Sequence, residues 1–180
     1  MLIVGENLKA LIQQYQMSSQ KGCFDETCIQ LSLGSKYIRF AKPVAEPKIL
    51  TYGEEIPAEL VVNETIKEEG LILQPKEAVL ACSAEKIKMP AGYFGLLQTK
   101  GSLARMFVSL HFSDGQIDPG FEGKVTFELF NAGEYPIRIH KNQAVGNLYV
   151  LKASTDLHAM YNGRYGKAAG PTIQKPLTDE

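Results

Sequence analysis

The sequence is poor in the residues from which metal and thiol chemistry is built: three cysteines and three histidines in 180 residues. Cys23 and Cys28 have no second closely spaced pair, Cys82 stands alone, and His111, His140 and His158 are scattered. A catalytic zinc needs several imidazole, thiolate or carboxylate ligands at workable spacing. The zinc-deaminase signature, a His-x-Glu followed by Pro-Cys-x-x-Cys, is missing. Zinc hydrolysis is therefore not the expected chemistry, and each histidine reads as an ordinary strand or loop residue. Nucleophilic catalysis has no better support. There is no Gly-x-Ser-x-Gly elbow and no cysteine in a helix-start or cationic setting. Walker and Rossmann glycine patterns are also lacking. No apolar run approaches the roughly 20 residues of a membrane span. The N-terminal "MLIVGENLKALIQQYQ" has no basic leader and carries Glu6 early, a poor signal peptide. Reduced thiols and a cytoplasmic location are the expectation. Nor is there an excess of one charge. A net charge of −1 argues against a broad grip on nucleic acid, so any bound anion must be held by a local cluster of cations.

What is present is ordinary for a soluble globular protein: 44% hydrophobic and 22% charged residues. The length suits one domain, spanning residues 1–180, that buries about two thirds of its surface. Leu8, Leu11, Ile12 and Tyr15 fall on one face of a short helix within residues 6–17. Beyond it the period changes to two. "CIQLSLG" reads as a half-buried strand closed by Gly34, and similar runs follow at 37–40, 71–75, 78–83, 94–99, 106–112, 124–131, 135–140 and 144–151. Turn signals separate them, among them Asp114-Gly115, Asp118-Pro119-Gly120 and Asn131-Ala132-Gly133. So many strands with so little helix imply a barrel or a two-sheet sandwich. Residues 41–70, with three prolines and the acidic "NETIKEEG", suggest a surface excursion or an edge hairpin. The segment from Tyr161, "YNGRYGKAAGPTIQKP", cannot form a core by itself and is either disordered or ordered by what it covers.

Three segments remain that could carry chemistry. "KGSLAR" at 100–105 mixes small residues with two cations, which suits phosphate, but it also reads as a plain tight turn with a helical hint. "DGQIDPGFEG" at 114–123 could be two consecutive turns. In "TFELFN", strand alternation places Glu128 on the face of Thr126 and Phe130, with Phe127 and Leu129 pointing the other way. A solvent-facing acid on an edge strand is the plain reading. An acid that something nearby uses is the sharper one, because desolvating an unused charge is costly.

Taken together, these segments resemble the deoxycytidine triphosphate deaminases, within the superfamily that includes the trimeric deoxyuridine triphosphatases. The family pattern runs Arg-Ser-Ser-Leu-(Ala/Gly)-Arg, then Ile-Asp-Pro-Gly-(Phe/Trp)-x-Gly, then Leu-Glu-x-x-Asn. Lys100 to Arg105, Ile117 to Gly123 and Glu128 to Asn131 match it with the gaps kept. "FDETCIQLSLG" resembles the family's Asp-Leu-Arg-Leu-Gly strand, "LQPKEAVLACSAEKIKMP" its segment containing Thr-x-Glu and Pro, and "YNGRYGKAAGP" its C-terminal lid.

The resemblance implies a mainly β fold, a distorted β-barrel or jelly roll of the dUTPase-like β-clip kind with a short N-terminal helix, assembled as a homotrimer with active sites between subunits. Residues 161–180 would be a flexible lid. The implied ligand is a deoxynucleoside triphosphate (dCTP, with dUTP and dTTP as further candidates), its Mg²⁺ held by the phosphates and with no zinc. By the same carry-over Lys100, Gly101 and Ser102 would cradle phosphate. Asp118, Gly120 and Phe121 would face the deoxyribose, and the main chain at Val125 and Thr126 would read the pyrimidine. Tyr161, Arg164 and Tyr165 would close over the nucleotide. Glu128 would be the general base and acid of a zinc-independent deamination of dCTP to dUTP and ammonia, with Arg105 holding its carboxylate.

The match has departures. Gly101 stands where the family has its first Ser, Lys100 where it has Arg, Ala168 at the lid's Gln, and Asp114 where a small Ala is common. Lysine keeps the charge but loses bidentate phosphate geometry. Two other readings stay open: a diphosphatase acting on dUTP, or a bifunctional enzyme that both deaminates and releases pyrophosphate; and, on the departures at Gly101 and Ala168, a nucleotide-binding protein without turnover.

Overall fold

A computed structural model describes residues 1–20, 22–42, 48–155, 157 and 159–177. His158 and the last three residues of the lid segment lie outside them. In chain order the elements are β1 (Leu2–Ile3), α1 (Gly5–Tyr15), β2 (Phe24–Asp25), β3 (Cys28–Phe40), a single 3₁₀ turn (Ala58–Leu60), β4 (Val61–Thr65), β5 (Leu71–Leu73), β6 (Ala78–Lys88) and β7 (Tyr93–Thr99). They continue with the one-turn helix α2 (Gly101–Ala104), β8 (Val108–Ser109), β9 (Gln116–Ile117), β10 (Glu122–Asn131), β11 (Ile137–Ile139) and β12 (Ala144–Lys152).

Ten of the strands form one antiparallel sheet curled into a half-barrel, in the order β8-β10-β6-β3-β12-β7-β9, with β1 on β12 and β2 and β4 on β3; β5 and β11 pair separately. The mainly β expectation holds.

One strand makes the curl possible. β3 is continuous over 13 residues, where the sequence suggested two strands parted at Gly34. Its first half pairs with β12 and its second half with β6 and β4. Gly34 does not end the strand but sits where β3 crosses β6. A Cβ there would lie 2.8 Å from the Cys82 carbonyl oxygen, closer than real Cβ atoms come, and 3.0 Å from that of Ser83. The turn of the chain from one wall to the other therefore depends on a missing side chain.

The excursion after β3 returns as β4, paired along residues 36–40, so the edge-hairpin reading holds for its described part. The expected strand at 106–112 shrinks to Val108–Ser109, because Met106 and Phe107 continue the turn that ends α2 and Phe107 has φ +60°. The core gathers inward-facing residues of every wall, among them Leu31, Leu33, Leu97, Phe127, Leu129 and Leu148, with Leu8 and Leu11 of α1 packed against them. All three cysteines are free and buried, and burial pushes the Cys28 and Cys82 thiols up. No described helix is long and apolar enough to cross a membrane.

Candidate functional site

β10 organises the site by strict alternation. Val125, Phe127 and Leu129 are buried on one face, while Lys124, Thr126 and Glu128 are half-exposed on the other. That second face is a wall of a cavity of about 640 Å³. Glu128, Thr126, Val125, Asp118, Phe121, Tyr161 and Tyr165 all line it, and so does Asp114. The structure thus brings seven of the expected site residues into one hollow.

Each is held by a local device. The Phe121 N–H donates to the Asp118 carbonyl at 3.0 Å, closing a turn with Pro119 and Gly120 at its centre. Gly120 has φ +90°, which such a type II turn demands at its third position. A Cβ there would come within 2.8 Å of Met160. The turn sets Asp118 at the cavity rim and lays the Phe121 ring against Tyr161, with centroids 5.8 Å apart. Glu128 is oriented from the neighbouring loop: the Phe112 N–H donates to Glu128 Oε2 at 2.7 Å, and Glu128 N–H donates to the Leu110 carbonyl at 2.9 Å. One carboxylate oxygen is thus held by the backbone.

The described part of the C-terminal segment packs on β10. Lys124 N–H donates to the Ala168 carbonyl at 2.8 Å and Lys167 N–H to that of Glu122 at 2.6 Å, so the segment runs along the open edge of β10. Thr172 then pairs with Thr126, Oγ1 to Oγ1 at 2.9 Å, with Thr172 N–H donating to the same Thr126 oxygen at 3.1 Å. Ile173 and Gln174 follow on the cavity wall.

Other expected residues lie elsewhere. Lys100, Gly101, Ser102 and Arg105 do not line the cavity; they belong to α2 and its flanks, where Gly101, Ser102 and Arg105 are exposed. Arg164 turns away, donating from Nη1 to the Pro176 carbonyl at 2.7 Å. The Val125 N–H is occupied by Ser83 Oγ at 2.9 Å. Lys124, Gln116, Leu80, Phe40 and the Thr172–Gln174 segment were not singled out from sequence. For Lys124 the signal was available, since it precedes Thr126 by two on the same strand face.

A family model described as dCTP deaminase-like matches residues 3–153 of this chain. The chain belongs to the dCTP deaminase-like family. Among curated relatives it is 31% identical over 157 residues to the "dCTP deaminase, dUMP-forming" of Methanobrevibacter smithii, covering 84% of this chain and 80% of the relative. It is 36% identical over 143 residues to the dCTP deaminase of Glaesserella parasuis, covering 76% and 73%. These relatives are enzymes, and the chain is a dCTP deaminase-like enzyme by family. The crystal structure of 2′-deoxycytidine 5′-triphosphate deaminase from Agrobacterium tumefaciens superposes with a TM-score of 0.61 at 15% identity. That match covers 83% of this chain but 46% of the other, so the chain spans about half the length of that protein, and the likeness speaks for the fold.

Proposed function

We propose that the chain hydrolyses dCTP to dUTP and ammonia, with Glu128 as its general base and acid. The observation that carries this reading is a backbone-anchored carboxylate on the wall of a nucleotide-sized cavity that also holds Asp118, Phe121 and Thr126. Glu128 takes a proton from water as its oxygen attacks C4 of cytosine and delivers that proton to N3. Glu128 then carries the proton of the new C4 hydroxyl to the amine, and collapse of the tetrahedral carbon breaks the C4–N bond, releases ammonia and leaves the C4 carbonyl. Water supplies every atom gained. One carboxylate standing beside both the water and N3 can make all of these transfers.

Among the described residues no three His, Cys, Asp or Glu side chains are grouped as metal ligands. In this reading Glu128 activates the water, and Mg²⁺ enters with the triphosphate as part of the substrate. Asp118 and Phe121 take the deoxyribose, and the Val125–Thr126 main chain takes the pyrimidine. Lys100, Gly101, Ser102 and Arg105 act in trans: in a homotrimer the α2 region of one subunit completes the cavity of the next. This is supported by the exposure of Gly101, Ser102 and Arg105 and by the absence of all four from the cavity of their own chain.

A second reading is deamination followed by pyrophosphate release, favoured by the dUMP-forming relative and by Asp118 at the rim, where it could position a water on the α-phosphate. Incubation with dCTP, dUTP and dTTP in Mg²⁺, assaying ammonia and pyrophosphate separately, tests both. Ammonia from dCTP without pyrophosphate is the expected result. Both products together favour the second reading, and neither product, with the nucleotide bound, refutes turnover.

A further inference from the structure

The Ser83-Ala84-Glu85 stretch of β6 matches the Thr-x-Glu of the resemblance, and no role falls to it in the reaction above. The register of β6 and β10 shows what it does locally. Thr126 pairs with Cys82 and Lys124 with Lys86, so Ser83, Ala84 and Glu85 together face Val125 alone. A bulge of this kind takes the ladder partner away from the residue opposite it. The Val125 N–H is buried and would be left without an acceptor, which folded chains rarely allow.

Ser83 fills the gap with its side chain. Fully buried, it accepts the Val125 N–H on Oγ at 2.9 Å and donates its own proton to the Glu85 carbonyl at 2.7 Å. The Glu85 side chain, also buried, then turns to β3 and accepts the Ser32 N–H on its two oxygens at 3.0 and 3.3 Å. The bulge is thereby tied through two side chains to the strand that runs through both walls. Val125, directly across from Ser83, and its neighbour Thr126 form part of the cavity wall.

We propose that Ser83 is a positioning residue for base recognition: its buried hydroxyl replaces the ladder partner lost at the bulge and fixes the Val125–Thr126 main chain at the cavity wall. The inference rests on the reading above that this main chain faces the pyrimidine. A hydroxyl is required because the position must accept from one backbone group and donate to another at once. Alanine can do neither, and threonine can do both.

The test compares Ser83→Ala and Ser83→Thr in the full chain carrying Glu128→Gln, so that dCTP is bound but not consumed. Three quantities are measured: the affinity for Mg²⁺-dCTP, the affinity for inorganic tripolyphosphate, and amide exchange in the 122–127 stretch. Ser83→Ala is expected to weaken dCTP roughly tenfold, the worth of one buried hydrogen bond. Tripolyphosphate should change by no more than about twofold, since in the proposed arrangement the phosphates are taken by Lys100–Ser102 and not by the bulge. Exchange should accelerate at 122–127 and not across the rest of the sheet, and Ser83→Thr should restore all three. Unchanged dCTP affinity in Ser83→Ala overturns the proposal. So does an equal loss for dCTP and tripolyphosphate, or a threonine variant that melts like the parent yet binds like the alanine one. If the parent binds no dCTP at all, the functional reading has failed. The exchange measurement then still decides whether Ser83 holds the bulge: acceleration in the alanine variant alone supports it, and unchanged exchange overturns it.

Discussion

Asn131 closes the Glu-x-x-Asn motif, and replacing it with alanine should damage the fold while sparing the chemistry. Its side chain is fully buried at the end of β10. Nδ2 donates to the Leu73 carbonyl at 3.1 Å and to the Tyr135 carbonyl at 2.8 Å, and Oδ1 accepts the Gly133 N–H at 2.9 Å. Three backbone groups from β5 and the β10–β11 connection thus end on one amide. Each such bond is worth about 1 kcal/mol net, and more where the abandoned partner stays buried, so Asn131→Ala should cost about 3 kcal/mol. For a chain of this length that corresponds to a fall in melting temperature of roughly 6–12 °C. The assay is thermal unfolding at fixed protein concentration, because assembly would make the midpoint concentration-dependent. Turnover per folded molecule, measured below the transition, should change by less than about twofold, since Asn131 does not line the cavity and shares no hydrogen-bond partner with Glu128. A melting temperature within about 2 °C of the parent would refute the hydrogen-bond accounting. An unchanged melting temperature with lost turnover would place Asn131 in the reaction.

Glu128→Gln should keep dCTP binding and lose turnover by ~10²–10⁴-fold, because the amide oxygen can still accept the Phe112 N–H but cannot carry a proton; a near-normal rate of ammonia release removes Glu128 from its role. Gly101→Ser should fold without penalty, since a Cβ there meets only the flexible end of Arg105 at 3.0 Å. If the missing hydroxyl impairs water placement, ammonia release should rise, by on the order of tenfold or more; a fall would show that Asp114 has taken over that place, and no change would detach this loop from the catalytic water. Light scattering at micromolar concentration should give the mass of three chains. A clean monomer that still turns over would contradict an active site completed in trans.

The strands and the motif-bearing turns were legible because they are local. Period-two alternation marked the β10 face on which Glu128 and Thr126 stand, and Asp118-Pro119-Gly120-Phe121 announced its own turn. What was hidden depends on pairing between distant segments. Gly34 looked like a terminator because a glycine that ends a strand and one that lets two strands cross are the same letter. Met106 and Phe107 read as strand because their apolar character fits one, while the preceding helical turn carries the chain onward with Phe107 at positive φ. Ser83 carried a motif but no visible purpose until the register across from Val125 was known. Thr172 could not be placed at all, since its partner Thr126 lies 46 positions earlier and nothing in a Gly-rich, cationic tail encodes which edge it will cover.

Charge gives the strongest physical reason to look beyond one subunit. The cavity of a single chain presents Asp114, Asp118 and Glu128 against one lysine, Lys124. Two like unit charges 4 Å apart repel by about 4 kcal/mol at the effective dielectric of a protein surface. A triphosphate brought into such a hollow gains nothing from it unless positive charge arrives from elsewhere. Mg²⁺ on the phosphates supplies part of it. Arg164 could supply more only by giving up the Pro176 carbonyl that now holds it. Lys100 and Arg105 are the remaining cations of the matched motif, and neither lines the cavity of its own chain. Under the proposed function, the Lys100–Arg105 loop of a neighbouring subunit would face the hollow and bring that positive charge to it. Assembly would then be a condition of substrate binding rather than an accessory to stability.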